Sequence, residues 1–322
     1  MELKDHIYGG IIGLTTGDAL GVPYEICSRE QMEKMPVTDM VGYKAHYQPK
    51  GTWSDDSSLT FCLIEGLIPT LNVDRIGTMT MQWLREDYWC AVEKAFGSGG
   101  TTRKAIDKLE QGLPAVYCGG TEESANGNGS LMRILPLVFY LKDEKDIAKR
   151  FLSVQRVSSI THAHFRSIFA CFIYVEFGLL LLNGEEKFQA YEKLKTSIHN
   201  FCKTQKFDKK EMVHFDRVLQ ENIFDQDIKD IRGNGYVIHS LEASLWCFLN
   251  TSSYKECVLK AVNLGEDSDT TAAIAGGLAG MYYGYESIPQ EWKSQLARLE
   301  DIHELLERFH KSLQKNKTYN YT

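Results

Sequence analysis

Apolar residues recur at intervals of three and four along most of this chain and almost nowhere alternate with polar ones. That is the signature of helices with one buried face. The pattern predicts helices over 6–19, 57–68, 75–89, 101–110, 131–141, 146–157, 164–182, 185–201, 209–220, 235–249, 254–263, 270–283 and 291–312. No alternating strand pattern stands out, and no Asn-Gly pair joins two such runs. Asn126-Gly127-Asn128-Gly129 instead reads as a Gly/Asn loop ahead of a helix. The fold class expected is all-α, a compact multi-helix orthogonal bundle.

Two predicted helices carry many small residues. Gly9, Gly10, Gly13 and Gly17 lie in the first. Ala272, Ala273, Ala275, Gly276, Gly277, Ala279 and Gly280 lie in a late one. Glycine inside a helix costs about 1 kcal/mol relative to alanine, so close helix–helix approach is the expected return, and these two helices are placed at the centre of the bundle. There is no fixed-period repeat and no low-complexity linker. The segment 203–232 is more polar and reads as a surface excursion. One domain over 1–312 is expected, followed by a short frayed tail over 313–322.

Composition narrows the class. Of 322 residues, 43% are hydrophobic and 11% aromatic, enough for a sizeable core. Lys and Arg total 36 against 43 Asp and Glu, a net charge of −7, which disfavours nucleic acid as a partner because phosphate binding needs concentrated positive charge. The N-terminus, Met1-Glu2-Leu3-Lys4-Asp5, carries no signal-peptide pattern. The most apolar stretch, 168–182, holds Glu176 and only 15 residues, short of the ~20 of a membrane span, and reads as a buried helix. The eight cysteines form no Cys-x-x-Cys pair and read as reduced core residues of a cytosolic protein. A cytoplasmic monomer with no membrane partner is expected.

The chemistry concentrates in two acidic clusters. The first is Gly51-Thr52-Trp53-Ser54-Asp55-Asp56-Ser57-Ser58. The second is Gly265-Glu266-Asp267-Ser268-Asp269-Thr270-Thr271. Each stands just before a helix. A plain reading is an N-cap with acidic residues favoured by the helix dipole. One cap, however, needs one side-chain oxygen, whereas Ser54-Asp55-Asp56 and Asp267-x-Asp269-Thr270 each gather two carboxylates and one or two hydroxyls. With no His or Cys among them, such oxygen donors suit a hard divalent cation. Asp18 reads as a structural hydrogen-bonding group near a helix end. Glu25, after a Gly/Pro turn, is a loop carboxylate that could act as a base or gate.

The loop 126–133 leads into a helix, and its exposed N–H groups could cradle a phosphate, although Asn-Gly loops are also ordinary turns. Thr161-His162-Ala163-His164 has no third ligand at a zinc-like spacing, and His162 alone reads as a hydrogen-bonding residue at a helix start. Neither a Gly-x-Ser-x-Gly elbow nor a Walker-type loop is present.

Taken in order, these elements resemble the ADP-ribosylglycohydrolase family over nearly the whole chain. The first helix with Gly17-Asp18-Ala19-Leu20-Gly21, the Ser54-Asp55-Asp56 cluster, the loop Gly127-Asn128-Gly129-Ser130-Leu131-Met132-Arg133, Thr161-His162, Gly235-Tyr236-Val237, and Asn263 to Ala273 carry the resemblance. Departures are modest: Ser54 stands where Thr is usual, Glu266 where Gly or Asp is common, Ala163 where Pro is usual, and His239 where an acid is frequent.

The resemblance implies an all-α fold with two Mg²⁺ (or Mn²⁺) ions in a central cleft. Ser54, Asp55 and Asp56 would bind one ion. Asp267, Asp269 and Thr270 would bind the other, with Asp269 bridging. Asp55 or Asp56 would orient a water, with Glu25 as a second carboxylate. Gly127, Asn128, Gly129 and Ser130 would receive the diphosphate, and His162 would lie beside the nucleotide or ribose. The activity implied is metal-dependent release of ADP-ribose from a modified acceptor, an ADP-ribosylated protein side chain such as arginine. A small ADP-ribosyl or related ribosyl metabolite, or an ADP-ribosylated base, is an alternative substrate. A non-catalytic ADP-ribose binder is disfavoured because Asp55, Asp56, Asp267 and Asp269 are all present.

Overall fold

The computed structural model describes residues 1–315. Among them there is no strand, only two isolated bridges, Gly120 with His162 and Gly127 with Tyr236, and the fold is all-α as the periodicity predicts.

The centre is the pair Leu3–Gly21 and Ser268–Tyr283, both buried along most of their length. Small residues at every fourth position make this pairing possible. A Cβ added at Gly9 would lie 2.2 Å from the Gly280 carbonyl oxygen, one at Gly13 2.6 Å from Gly276 O, and one at Gly17 2.2 Å from Ala272 O. At Gly21 it would fall 2.2 Å from the Asp269 Cα. The two backbones are therefore in contact, and side chains larger than hydrogen on this stripe would hold them apart. The stripe ends at the functional residues: it sets the last turn of the first helix, with Asp18, against the first turn of the other, with Asp269.

Around this pair pack Asp55–Leu67, Phe165–Leu182, Val237–Leu249, Tyr254–Val262 and Leu299–Lys315. Phe165–Leu182 spans 18 residues rather than the 15 of its most apolar part, which makes it long and apolar enough by length and composition to cross a membrane, yet 83% of it is buried inside the fold. Its one acid, Glu176, is paired by Arg150 through two bonds of 2.6 and 2.7 Å, so the buried charge is compensated. The eight cysteines are all free.

Four expectations need correction. The helix expected over 131–141 forms only as Pro136–Tyr140, because the Pro136 ring favours the first helical turn and cannot follow one. The segment 209–220 is broken into short turns, Lys209–Met212, Val213–Phe215 and Asp216–Leu219. The segment 291–312 is two helices, Gln290–Lys293 and Leu299–Lys315, parted at Arg298 with φ +54°. The last helix thus runs past the boundary expected at 312, with Leu313 buried, while 316–322 of the expected tail lie outside the described residues. Pattern reading also missed Arg29–Lys34, which Ser28 and Gln31 start with a reciprocal capping box.

Candidate active site

Three helix ends converge on one cleft. Ser54 caps Asp55–Leu67, accepting a 3.4 Å bond from the Asp56 N–H and donating a 3.0 Å bond to Asp56 Oδ2. Asp18 reaches across from the first helix and accepts from Ser54 N at 2.9 Å, Ser57 N at 3.0 Å and Ser57 Oγ at 2.6 Å. It thereby pins the start of the second helix to the end of the first. On the other side, Thr270 Oγ1 donates to Asp56 Oδ2 at 3.3 Å, joining two clusters 214 positions apart. The Glu25 loop is held by a pair of backbone bonds, Ile26 N–H to Glu266 O at 2.7 Å and Glu266 N–H to Cys27 O at 2.6 Å.

Carboxylate oxygens of Asp18, Asp56 and Asp269 lie within 4.8 Å of one another, and so do those of Glu25, Asp267 and Asp269. Asp269 belongs to both triplets. Asp56 Oδ1 is fully buried and has no hydrogen-bond partner. Burial first, then neighbouring carboxylates, hold Asp55, Asp56 and Asp269 well above the usual carboxylate range. Burial pushes Asp18 up to about 6 against its serine bonds, and raises Asp267 against the bond from Asn128. Like charges this close, with one oxygen left without a partner in the interior, form a donor set that fits hard divalent cations.

The facing wall is the loop 126–130. Asn128 N–H donates to Gly235 O at 3.1 Å and Val237 N–H to Asn126 O at 3.0 Å, which fixes the loop to the start of Val237–Leu249. Asn128 Nδ2 bridges Ser240 Oγ at 2.8 Å and Asp267 Oδ2 at 2.7 Å, tying this loop to the second acidic cluster. The N–H groups of Gly127 and Gly129 have no backbone acceptor among the described residues. His162 sits beneath the two glycines, with Nδ1 on Thr161 Oγ1 at 2.9 Å. Burial, with the Arg133 charge second, lowers His162 to about 3, so its imidazole is neutral near pH 7. Arg133, itself buried, bonds Gly129 O at 2.5 Å and Val157 O at 3.3 Å and stiffens the loop from below.

The cavity between these walls measures about 500 Å³, and Glu25, Asp55, Gly127, His162, Asp267 and Asp269 are among the residues that line it. Most of the residues picked out in the sequence thus line one cleft; Ser54 and Asp56 are buried next to it without lining it, and three others differ from expectation. Asp55 stands on the wall, where a Cβ on Gly97 would come within 2.2 Å of its Oδ1, and outside both triplets. Asp18, read first as a structural hydrogen-bonding group, contributes an oxygen to the first triplet as well as its hydrogen bonds. Ser130 is fully buried with its hydroxyl on Ser158 Oγ at 2.9 Å and near Cys171 Sγ, so its side chain braces the loop and does not face the cavity.

Two elements were missed. His46 hydrogen-bonds the Glu25 carboxylate through Nε2 and lies against Phe96 with ring centroids 5.2 Å apart. Gly97, Gly99 and Gly100, where the chain enters Gly100–Glu110, also border the cavity, and this run of glycines was the available signal. Nothing in the sequence marks His46. His239, where an acid is frequent, bonds Asn234 Oδ1 at 2.8 Å and packs edge-on against Tyr236.

Comparisons with known proteins follow the same outline. Residues 1–318 match the sequence profile of a family described as ADP-ribosylglycohydrolase. The chain is 31% identical over 312 residues to the ADP-ribosylarginine hydrolase Tri1 of Serratia proteamaculans, covering 95% of this chain and 79% of that protein. It is 27% identical over 302 residues to the ADP-ribosyl-[dinitrogen reductase] glycohydrolase of Rhodospirillum rubrum, covering 92% and 91%. A solved structure described as an ADP-ribosylglycohydrolase-related protein complex superposes with a TM-score of 0.79 at 28% identity, covering 97% of this chain and 99% of that one.

Proposed function

The chain belongs to the ADP-ribosylglycohydrolase family and is an enzyme that hydrolyses a glycosidic bond to release ADP-ribose from a modified acceptor; from that premise we propose that the acceptor is an arginine side chain of a protein. The observation that carries the hydrolytic site is the sharing of Asp269 by two carboxylate triplets beside a cleft whose opposite wall offers unengaged glycine amides; the acceptor rests on similarity. Similarity to an ADP-ribosylarginine hydrolase over 95% of the chain supports arginine.

Asp18, Asp56 and Asp269 would hold one divalent ion, and Glu25, Asp267 and Asp269 a second, with the Ser54 and Thr270 hydroxyls at the margins; Mg²⁺ is the ion proposed, with Mn²⁺ the alternative. When bound, such ions polarise hydroxyl and water oxygens and neutralise the crowded carboxylates. The Gly127 and Gly129 N–H groups receive the diphosphate, and Arg133 keeps them in place. Neutral His162 offers a hydrogen bond rather than a charge beside the ribose or nucleotide. Asn128 positions Asp267 and so couples phosphate seating to the acidic floor. Asp55, on the wall of the cleft, in its ionised form orients the attacking water and takes its proton at a carboxylate oxygen. The bond from the anomeric carbon to the guanidinium nitrogen breaks with its electron pair passing to that nitrogen, so that a neutral guanidine leaves; the water oxygen bonds the anomeric carbon as its proton passes to Asp55, and Glu25, oriented by His46, stabilises the oxocarbenium-like state from the loop side.

The test is release of free ADP-ribose from arginine- and serine-modified proteins, with Mg²⁺ and with EDTA. Metal-requiring release from arginine is expected. Release from serine alone would overturn the acceptor, and no release from either protein substrate would move the assignment to a small ADP-ribosyl compound.

A further inference from the structure

A second concavity lies on the far side of the Glu25 loop. It measures about 590 Å³ and is walled by Tyr24, Ile26, Met32 and Met35, with Lys34 and Lys44 at its edges. Glu25 and Ile26 line both this groove and the acidic cleft, so the two form one continuous depression divided by a single turn of chain. The groove is a built feature. Ala45 N–H donates to Pro23 O at 3.1 Å, Lys44 Nζ lies 4.0 Å from the centre of the Tyr24 ring, and the loop is tied below to Glu266.

Two of its lining residues, Ile26 and Met35, are 83% and 75% exposed, and Tyr43 and Tyr47, which do not line it but belong to the same stretch of chain, are 61% and 76% exposed; no other stretch of this length among the described residues exposes as many large apolar side chains. Ile26 is presented by a left-handed backbone, φ +68°, an uncommon conformation for a β-branched residue. Three charged residues line the groove, Glu25, which it shares with the cleft, and Lys34 and Lys44, for neither of which an ion pair is formed among the described residues. Glu30 and Glu33 are exposed on the same short helix as Lys34, so the two lysines are local cations on an otherwise apolar floor rather than part of a positive field.

We propose that this groove binds the polypeptide flanking the modified side chain, and that it selects acceptors whose neighbouring residues are apolar and acidic. The inference rests on the arginine-acceptor reading and adds to it where the protein part of the substrate goes. With the diphosphate at the Gly127 and Gly129 amides, the scissile bond lies over the carboxylates and the acceptor leaves past Glu25 and Ile26, straight onto the groove. Exposed apolar side chains there lose water against a hydrophobic neighbour, and Lys34 and Lys44 pair with its acids.

Two synthetic peptides test this, each with one ADP-ribosylated arginine, flanked by Leu and Glu in one and by Ser and Lys in the other, beside ADP-ribosyl-arginine as the minimal substrate. With Mg²⁺ present, kcat/KM of the unaltered enzyme is expected to favour the Leu/Glu peptide by about tenfold. The double variant Met35→Glu, Lys34→Glu should lose that preference while cleaving ADP-ribosyl-arginine at the original rate, since neither residue lines the cleft. Equal use of both peptides by the unaltered enzyme, or an unchanged preference in the variant, overturns the groove and leaves the arginine reading standing. Failure to cleave even ADP-ribosyl-arginine overturns that reading, and the groove assignment with it. A variant slowed equally on all three substrates also counts against the groove, because selective recognition requires the minimal substrate to be spared.

Discussion

At the scale of single residues, Asp269 carries the most. It occupies the first turn of its helix, contributes an oxygen to both carboxylate triplets, and sits against Gly21, where the first helix ends. Asp269→Ala is expected to lower kcat/KM for ADP-ribose release by at least about a hundredfold and to reduce divalent-ion stoichiometry, read by calorimetric titration. Unchanged stoichiometry with full activity would remove it from the shared position. Two other residues show what spacing alone conceals. Asp18 looks like a structural hydrogen-bonding residue because it is one, with three donors from Ser54 and Ser57, and only the arrival of Asp56 and Asp269 adds a second use for its oxygens. Ser130 looks like part of a phosphate loop, yet its hydroxyl is buried against Ser158 and Cys171, whereas Asn128 of the same loop turns its side chain into the cleft.

At the scale of elements, the small-residue stripe is the device that assembles the site. Leu3–Gly21 and Ser268–Tyr283 touch through backbone from Gly9 and Gly280 at one end to Gly21 and Asp269 at the other. A methyl at Gly280 would meet Gly9 O at 2.0 Å, and the neighbour is backbone that cannot swing aside. Gly280→Ala is therefore expected to destabilise the protein by about 1–3 kcal/mol through overpacking, outweighing the ~1 kcal/mol that alanine gains in a helix. The midpoint of thermal unfolding should fall by several degrees, and a rise would mean that the helices are not in contact there. The stripe was readable from glycine spacing. The break at Pro136 was readable from the proline itself, whereas the one at Arg298 was not, because an apolar face can continue across a change of helix axis without a gap in its periodicity.

At the scale of the whole molecule, the cleft stores unfavourable charge. Burial raises Asp18 from 3.8 to about 6 and moves Asp55, Asp56 and Asp269 in the same direction. A carboxyl whose folded value exceeds its unfolded value keeps its proton longer in the native state. Native stability then falls as pH rises through that interval. In EDTA, the Asp18 contribution is lost between about pH 4 and pH 6, and the other three extend the same trend upward. Divalent ions remove this penalty by pairing the ionised forms. The expected result is a rise in melting temperature on adding Mg²⁺ at pH 7 that is distinctly smaller at pH 5. Equal Mg²⁺ effects at both values would show that the carboxylates are not what the ion engages.

The amino-acid sequence by itself determined the helical class, the two acidic helix starts, the glycine loop and the stripe that lets two helices touch. These are local properties, written in spacing, capping and side-chain size within a few turns of chain. Tertiary structure alone decided which of those starts meet: Thr270 with Asp56 across 214 positions, Asn128 with Asp267 across 139, and His46 with Glu25. Such contacts follow from the packing of helices whose partners no periodicity names. The same packing, and not residue type, sorted the neighbouring carboxylates of Asp55 and Asp56, one onto the wall of the cleft and the other into the shared oxygen cluster at its floor.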